Sequence, residues 1–305
     1  MKIFLVVLMM VATLFAKESI TKDEVSLSYW EAKKGDSTLY LFGTMHAKDR
    51  RVKSAFEQIK PLINRVDGVY TELALTPLAS MIAFKKSIRD DNKTLKEILP
   101  PAIYKELDSY LKSIHPLLSP KNFDRLKIWV VTTSLEMIKD ELYYKDIEPL
   151  DKMIFNYGFR LKKEVGGIET LQEQIDIFDT LPLSKQIENL EKTLHYLKKF
   201  PNLSVELKEY YFRGENQKLL SLFNRVNKEY NEPELLNRIL YERNIKMADR
   251  IDKIVSKNPN KAYLFAFGIM HFLGQKSVIE LLQSKGYNVV NKKFTIGYQK
   301  DEKRD

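Results

Sequence analysis

The chain has 305 residues, of which 44% are apolar, and its 50 basic and 41 acidic side chains give a net charge of +9. This composition excludes a disordered chain. Because the two signs of charge are interleaved, without a long basic run, no nucleic acid is expected as a partner. The absence of cysteine excludes disulfides and thiolate metal ligands.

Residues 1–16 have the pattern of a secretory signal peptide. An apolar run follows Met1-Lys2 and ends at Ala16, just before charged residues. The run is shorter than the ~20 residues of a membrane span. We expect an exported protein, periplasmic or secreted, with residues 17–305 forming one domain. Because Leu14 fits the cleavage rule poorly, two alternatives stay open: removal of the segment, or its retention as the sole membrane contact.

The first predicted elements are a hairpin followed by a strand, a helix and a strand. Residues 25–32 alternate between apolar and polar, and a polar turn leads into an apolar run at 39–42. Apolar residues at helical spacing follow over 52–63, and a second apolar run occupies 68–73. This succession predicts a βαβ unit with parallel strands.

The middle region, residues 77–256, is predicted to be mostly helical. Apolar residues recur there at three- and four-residue spacing. The predicted helices cover residues 80–90, 101–114, 124–144, 184–200, 206–212, 218–230 and 233–256. One non-helical element, 159–165, precedes Gly166-Gly167, and Thr170 with Glu173 has the spacing of a capping box.

The C-terminal part repeats the strand, helix, strand order. Residues 261–267 and 286–291 are predicted strands with a helix over 275–285 between them, and 294–298 is a candidate edge strand. The predicted fold is therefore α/β. A central mixed, largely parallel sheet, built from N- and C-terminal βαβ halves, is covered by a large helical insertion.

One motif occurs twice: an apolar strand, a glycine and a histidine three residues later. The copies are Gly43 to His46 and Gly268 to His271, which contain two of the four histidines. Glycine at this point lets the backbone leave the sheet or approach another segment closely. The histidines would then lie at the carboxyl ends of strands, where α/β sheets bind ligands. The alternative is that both satisfy backbone groups where two strands end.

Glu72 ends the second predicted strand and would lie at the same sheet edge as His46. If His46, His271 and Glu72 converge, they form a three-ligand site with an open position, as in catalytic metal centres. Nitrogen and oxygen ligands suit a divalent ion, with Zn, Mn and Co left open. Such an ion polarises carbonyls and activates water, which predicts hydrolysis.

Three further residues are candidates for the chemistry. Glu169 or Glu242 could act as general base, and Arg243 could hold a substrate carboxylate or an oxyanion. Arg243 occupies the apolar stripe of the last long helix, so it needs an anionic partner. Two alternatives remain: a structural carboxylate of the core, or a site carboxylate or substrate. The other histidines, His115 at a helix end and His195 beside an apolar stripe, are assigned to no site.

These motifs together resemble the TraB/PrgY/GumN family, relatives of the TIKI proteins. The resemblance covers roughly residues 26–291 and includes the GGIET segment at 166–170 and the ERN triplet at 242–244. TIKI proteins are metal-dependent proteases that use both Gly-x-x-His histidines and a glutamate, which implies those roles for His46, His271 and Glu72. We expect an isolated exported domain without the transmembrane tail of TIKI or TraB-type members, and in this respect the chain most resembles the secreted GumN-like bacterial group.

Two functions follow from the residues and the resemblance. The first is a metal-dependent hydrolase, specifically a peptidase, acting on a peptide or small-molecule substrate. The alternative is a binding protein of the cell envelope that holds a peptide or small ligand without cutting it, as the PrgY branch of the family implies. The sequence leaves the substrate and the oligomeric state open.

Overall fold

Among the residues that the structure describes, six strands form one sheet. The computed structural model describes residues 25–294, so the predicted signal peptide and residues 295–305 lie outside the described part. The strands are β1 (Ser28–Lys34), β2 (Ser37–Thr44), β3 (Gly68–Thr71), β4 (Glu164–Gly167), β5 (Ala262–Gly268) and β6 (Asn288–Lys293). Their order in the sheet is β4-β3-β5-β2-β1-β6.

The sheet is mixed and largely parallel, which confirms the predicted fold class. β2, β5, β3 and β4 run parallel to one another, whereas β1 pairs antiparallel with both β2 and β6. The two predicted halves interleave, because the late strand β5 lies between β2 and β3. As a result, the carboxyl ends of four parallel strands from distant parts of the sequence meet at one edge.

Helices pack around this sheet, and those within residues 77–257 form a cover over it. In chain order the α-helices are α1 (Val52–Arg65), α2 (Pro77–Ser87), α3 (Leu95–Ile98), α4 (Pro101–Ile114), α5 (Ile128–Tyr143), α6 (Leu150–Arg160), α7 (Leu171–Asp179), α8 (Leu183–Lys199), α9 (Leu203–Phe212), α10 (Asn216–Tyr230), α11 (Pro233–Leu236), α12 (Glu242–Lys257) and α13 (Val278–Ser284). None of the described helices is long and apolar enough to cross a membrane.

The apolar side chains are buried in two separate cores, one around the sheet and one within the helical cover. The main core contains the aromatic run of β5 together with the inner faces of α1 and α12. A second core lies within the cover, between α4, α5 and α8. Since apolar burial contributes roughly 25 cal/mol per Å², both cores are substantial sources of stability.

Two predictions for the middle region differ from the structure, and one prediction near the C-terminus stays untested. Helix α6 was not predicted, and it extends to Arg160, so the non-helical element is the later strand β4. The predicted helix 233–256 is broken by a π-helical turn at Asn237–Tyr241, directly before α12. The candidate edge strand 294–298 lies almost wholly outside the described residues. By contrast, the predicted capping box of Thr170 and Glu173 is confirmed at the start of α7.

Candidate active site at the carboxyl edge of the sheet

The two Gly-x-x-His motifs lie side by side because β2 and β5 are adjacent and parallel. Gly43 is buried, and a Cβ atom built on it would lie 3.0 Å from the Cα and 2.1 Å from the Cδ1 of Ile269. This glycine is needed for close packing of one motif on the other. The prediction that glycine permits a close approach is confirmed here, and the approach is between the two motifs themselves.

His46, His271 and Glu72 converge, as the sequence predicted. The Nε2 atom of His46 lies 3.7 Å from Glu72 Oε1, and the Nε2 atom of His271 lies 3.7 Å from the same oxygen. Three chain segments far apart in sequence therefore present their polar atoms to one point. His271 is buried, whereas the side chain of His46 is 50% exposed, so solvent and ligands reach the group from the His46 side.

Both oxygens of Glu72 are fixed by hydrogen bonds. The backbone N–H of Gly268 donates to Oε1 at 2.7 Å, and the Arg243 guanidinium and the Gln174 amide donate to Oε2 at 2.6 and 3.1 Å. A Cβ atom on Gly268 would lie only 3.1 Å from Glu72 Oε1, so this residue also requires a small side chain. These contacts orient the carboxylate toward the two histidines.

Arg243 finds its anionic partners in Glu72 and Glu169. Its Nε and Nη2 atoms donate to Glu169 at 2.7–3.1 Å, Nη2 also donates to Glu72, and Nη1 donates to the carbonyl of Ile239 in the π-helical turn. The side chain of Glu169 is 2% exposed. With its donors used in this way, the guanidinium holds the site carboxylate Glu72 in place rather than offering a free fork to a substrate.

Glu169 reaches the site because β3 and β4 continue their pairing beyond the strand ends. The backbone N–H of Glu169 donates to the carbonyl of Glu72 at 2.9 Å, which places the two carboxylates on neighbouring backbone segments. Both oxygens of Glu169 accept from Arg243, so this residue is not free to act as a general base. Glu242, the other candidate base, is exposed and accepts from Asn237, and no described contact joins it to the histidine pair.

Asn244 supports His271 through the ring nitrogen that faces away from Glu72. Its Oδ1 atom lies 2.6 Å from His271 Nδ1, and its own amide donates to the carbonyl of Lys276 at 2.8 Å. Because the amide oxygen can only accept, Nδ1 carries the proton and Nε2 presents a lone pair to Glu72. Hydrogen bonding of the outer nitrogen is the usual support of a metal-binding histidine.

Asp151 is a site residue that the sequence did not predict. It lies in the first turn of α6, is buried, and its Oδ2 atom is 3.3 Å from His46 Nδ1. A single acidic residue in a first helical turn ordinarily complements the helix dipole, so it carries no signal of its own. Only prediction of helix α6 and its packing could have identified it.

The environment shifts the pKa of each member of the converging group. Burial is the main reason that the pKa of His271 falls to about 4, with the charge of Arg243 acting in the same direction. Burial opposes ionisation of Glu72, but His46, His271 and Arg243 together hold its pKa well below the usual range. Burial also opposes the charged form of His46, but Asp151 and Glu72 raise its pKa well above 6.5.

The donor set suits a divalent metal, although the side chains as they stand do not enclose one. Within residues 25–294, no group of three or more His, Cys, Asp or Glu side chains is arranged to hold a metal ion. An ion bound at ~2.1 Å nevertheless tolerates ligand atoms up to about 4.2 Å apart, and both nitrogen-to-Oε1 distances are shorter. Two imidazole nitrogens and a carboxylate oxygen are also a preferred zinc or manganese donor set.

Comparison with known protein families assigns most of the chain to one family. A protein-family model described as the TraB/PrgY/gumN family matches residues 28–291. The chain belongs to the TraB/PrgY/gumN family. This confirms the relationship that the motifs indicated. The matched range includes all of the site residues described above.

Curated relatives of this family member are named as metalloproteases. Metalloprotease TIKI1 of Danio rerio is 26% identical over 306 residues, covering 85% of this chain and 62% of the relative. Metalloprotease TIKI homolog of Nematostella vectensis is 25% identical, covering 82% and 64%. Metalloprotease TIKI1 of Homo sapiens is 24% identical, covering 88% and 62%. The chain thus spans less than two thirds of these relatives' length, and no solved structure matches it significantly.

Proposed function

We propose that this protein is a metal-dependent hydrolase, specifically a peptidase, whose metal ligands are His46, His271 and Glu72. The observation that supports this most directly is that both Nε2 atoms approach the same oxygen, each 3.7 Å from Glu72 Oε1. A peptide substrate is proposed because the relatives are named metalloproteases. Export to the periplasm or the medium remains a prediction from residues 1–16.

The excess of negative charge at the site also supports a bound cation. Glu72, Glu169 and Asp151 supply three carboxylates, whereas Arg243 is the one permanent cation among their described contacts. Buried carboxylates without compensating positive charge are costly, so a cation stabilises the group. Against the effect of burial, Asp151 and Glu72 raise the pKa of the His46 imidazole for the same reason.

Each of the site residues named below has a defined part in the proposed reaction. When bound, a divalent metal would supply Lewis acidity and activate water. Glu72 and His271 are held in place by Arg243 and Asn244, which fixes two of the three ligands before substrate arrives. His46, with its half-exposed side chain, lies where the substrate carbonyl would enter. Glu169 neutralises Arg243 and so supports Glu72 indirectly.

A binding protein is the second candidate, and one observation favours it. Glu169 and Arg243, which the sequence offered as general base and substrate anchor, are bonded to each other. Little is then left among the described residues of the site for proton transfer beyond the proposed ligands. A protein that retains the metal and a peptide but does not cut would have this arrangement.

Metal analysis of purified protein separates these possibilities. We expect close to one equivalent of zinc, manganese or cobalt in the wild type, and its loss in a His46→Ala, His271→Ala double variant that stays folded. His195→Ala is the matched control, because that histidine is exposed on α8 away from the site, and it should retain the metal. Cleavage of a mixed peptide library by the loaded wild type supports the peptidase, and tight metal binding without cleavage supports the binding protein.

If neither the wild type nor the control binds any of the three ions after incubation and dialysis, the metal-dependent mechanism is wrong. In that case the two histidines are structural residues at strand ends. Their substitution should then lower the melting temperature without changing any ligand affinity.

A further inference from the structure

We propose that Asp151 is the positioning residue for His46, a proposal that rests on the function proposed above. It acts through the outer nitrogen of the imidazole and directs Nε2 toward Glu72. The Oδ2 atom of Asp151 lies 3.3 Å from His46 Nδ1, while His46 Nε2 lies 3.7 Å from Glu72 Oε1. One imidazole is thus held between two carboxylates that come from helix α6 and from the end of β3.

The two histidines are supported in the same way. His271 has Asn244 Oδ1 at its Nδ1 atom and Glu72 Oε1 near its Nε2 atom. His46 has Asp151 Oδ2 at its Nδ1 atom and the same Glu72 oxygen near its Nε2 atom. In each case a side-chain oxygen from a helix lies behind the ring. This arrangement fixes the tautomer and the orientation of metal-binding histidines in general.

Apart from the start of helix α6, the described surroundings of Asp151 offer its charge no partner other than His46. Its Oδ1 atom is buried and has no hydrogen-bond partner among residues 25–294. A buried carboxylate with an unsatisfied oxygen costs free energy of folding, so we infer that its charge serves the site rather than the stability of the fold. The nearby Tyr211 hydroxyl donates elsewhere, to the carbonyl of Gly43 at 2.9 Å. The one described ion pair of Asp151 is the contact with His46.

The local fold makes Asp151 a rigid support. It follows Leu150 at the start of α6, and both Leu150 and Ile154 are buried in the main core. The positive end of the helix favours a carboxylate in this first turn. Because the His46 side chain is half-exposed, it has fewer packing contacts than His271 to hold its ring. A fixed carboxylate behind it therefore determines where Nε2 points.

The test is Asp151→Asn, which keeps the size of the side chain but removes its charge. Asp179→Asn is the matched control, because Asp179 pairs with Lys127 and Trp129 in the helical cover. The first readout needs no metal: the far-downfield proton resonance of an imidazole N–H bonded to a carboxylate. We expect this resonance in the wild type and the control, and its loss in Asp151→Asn and in His46→Ala.

The second readout is cobalt affinity, measured by titration in visible absorption. Loss of a residue that orients a metal ligand typically reduces affinity 10–100-fold, roughly the change expected for Asp151→Asn. In a His46→Ala background the same substitution should have no further effect, because Asp151 acts through that histidine. If Asp151→Asn does not fold, Asp151→Glu replaces it, since it keeps the charge but displaces the oxygens by one methylene.

The proposal is overturned by either of two results. One is an unchanged downfield resonance together with unchanged cobalt affinity in Asp151→Asn. The other is an equal loss of affinity in the wild-type and His46→Ala backgrounds, which indicates a structural role. If the wild type binds no cobalt, the proposed function fails, and the proton resonance alone then decides whether Asp151 orients His46.

Discussion

Replacement of Arg243 by methionine tests whether the guanidinium is what permits two carboxylates to be buried side by side. The side chains of Glu72 and Glu169 are only 11% and 2% exposed, and that of Arg243 is 15% exposed. Removing one partner from a buried ion pair leaves an uncompensated charge and typically costs about 3–5 kcal/mol. We expect a loss of this size in the free energy of unfolding, even though methionine fills much of the same space.

Urea denaturation of the metal-free protein, followed by circular dichroism, is the measurement. Arg250→Met is the matched control on the same helix, two turns further on. Its partner Glu173 is more exposed, at 30% of the side chain, so the expected loss is about 1 kcal/mol. Adding Glu169→Gln to Arg243→Met removes one of the stranded charges and should recover part of the stability.

Equal losses in the free energy of unfolding for Arg243→Met and Arg250→Met would contradict this prediction. A loss under about 1 kcal/mol for Arg243→Met would mean that solvent reaches both carboxylates, contrary to their burial. An absence of recovery with Glu169→Gln would mean that the lost stability came from packing of the arginine stem rather than from charge.

Three further predictions follow from individual contacts. Asn244→Ala removes the support of His271 and should lower cobalt affinity about 10–100-fold by absorption titration; an unchanged affinity would contradict it. Gly43→Ala places a methyl group against Ile269 and should cost about 3 kcal/mol in thermal unfolding, and a cost under about 1 kcal/mol would show that the strands separate easily. The hydrogen bond from Arg250 lowers the pKa of Glu173 from 4.5 to about 2. The stabilising effect of the ionised Glu173 is therefore present above pH 4.5 and is lost as the pH falls toward 2. Stability measured across that range should fall less steeply in Glu173→Gln, and parallel curves would contradict the prediction.

The sequence alone determined the local elements and part of the site. Helix α4 matches its prediction at both ends, because proline starts it and the His115-Pro116 step ends it. The two glycine-to-histidine motifs were visible because strand length, glycine and histidine are all local features. Glu72 was found for the same reason, as a carboxylate at the end of an apolar run.

Only the tertiary structure decided which residues meet. Local periodicity does not give strand order, and it is the insertion of β5 between β2 and β3 that brings His271 beside Glu72 and His46. The partners of Arg243, Glu72 and Glu169, lie just after β3 and β4 and far away in sequence, so its role could only be left as two alternatives. Asp151 was missed because its significance comes from a contact across the fold, and a lone aspartate in a first helical turn has an ordinary local explanation.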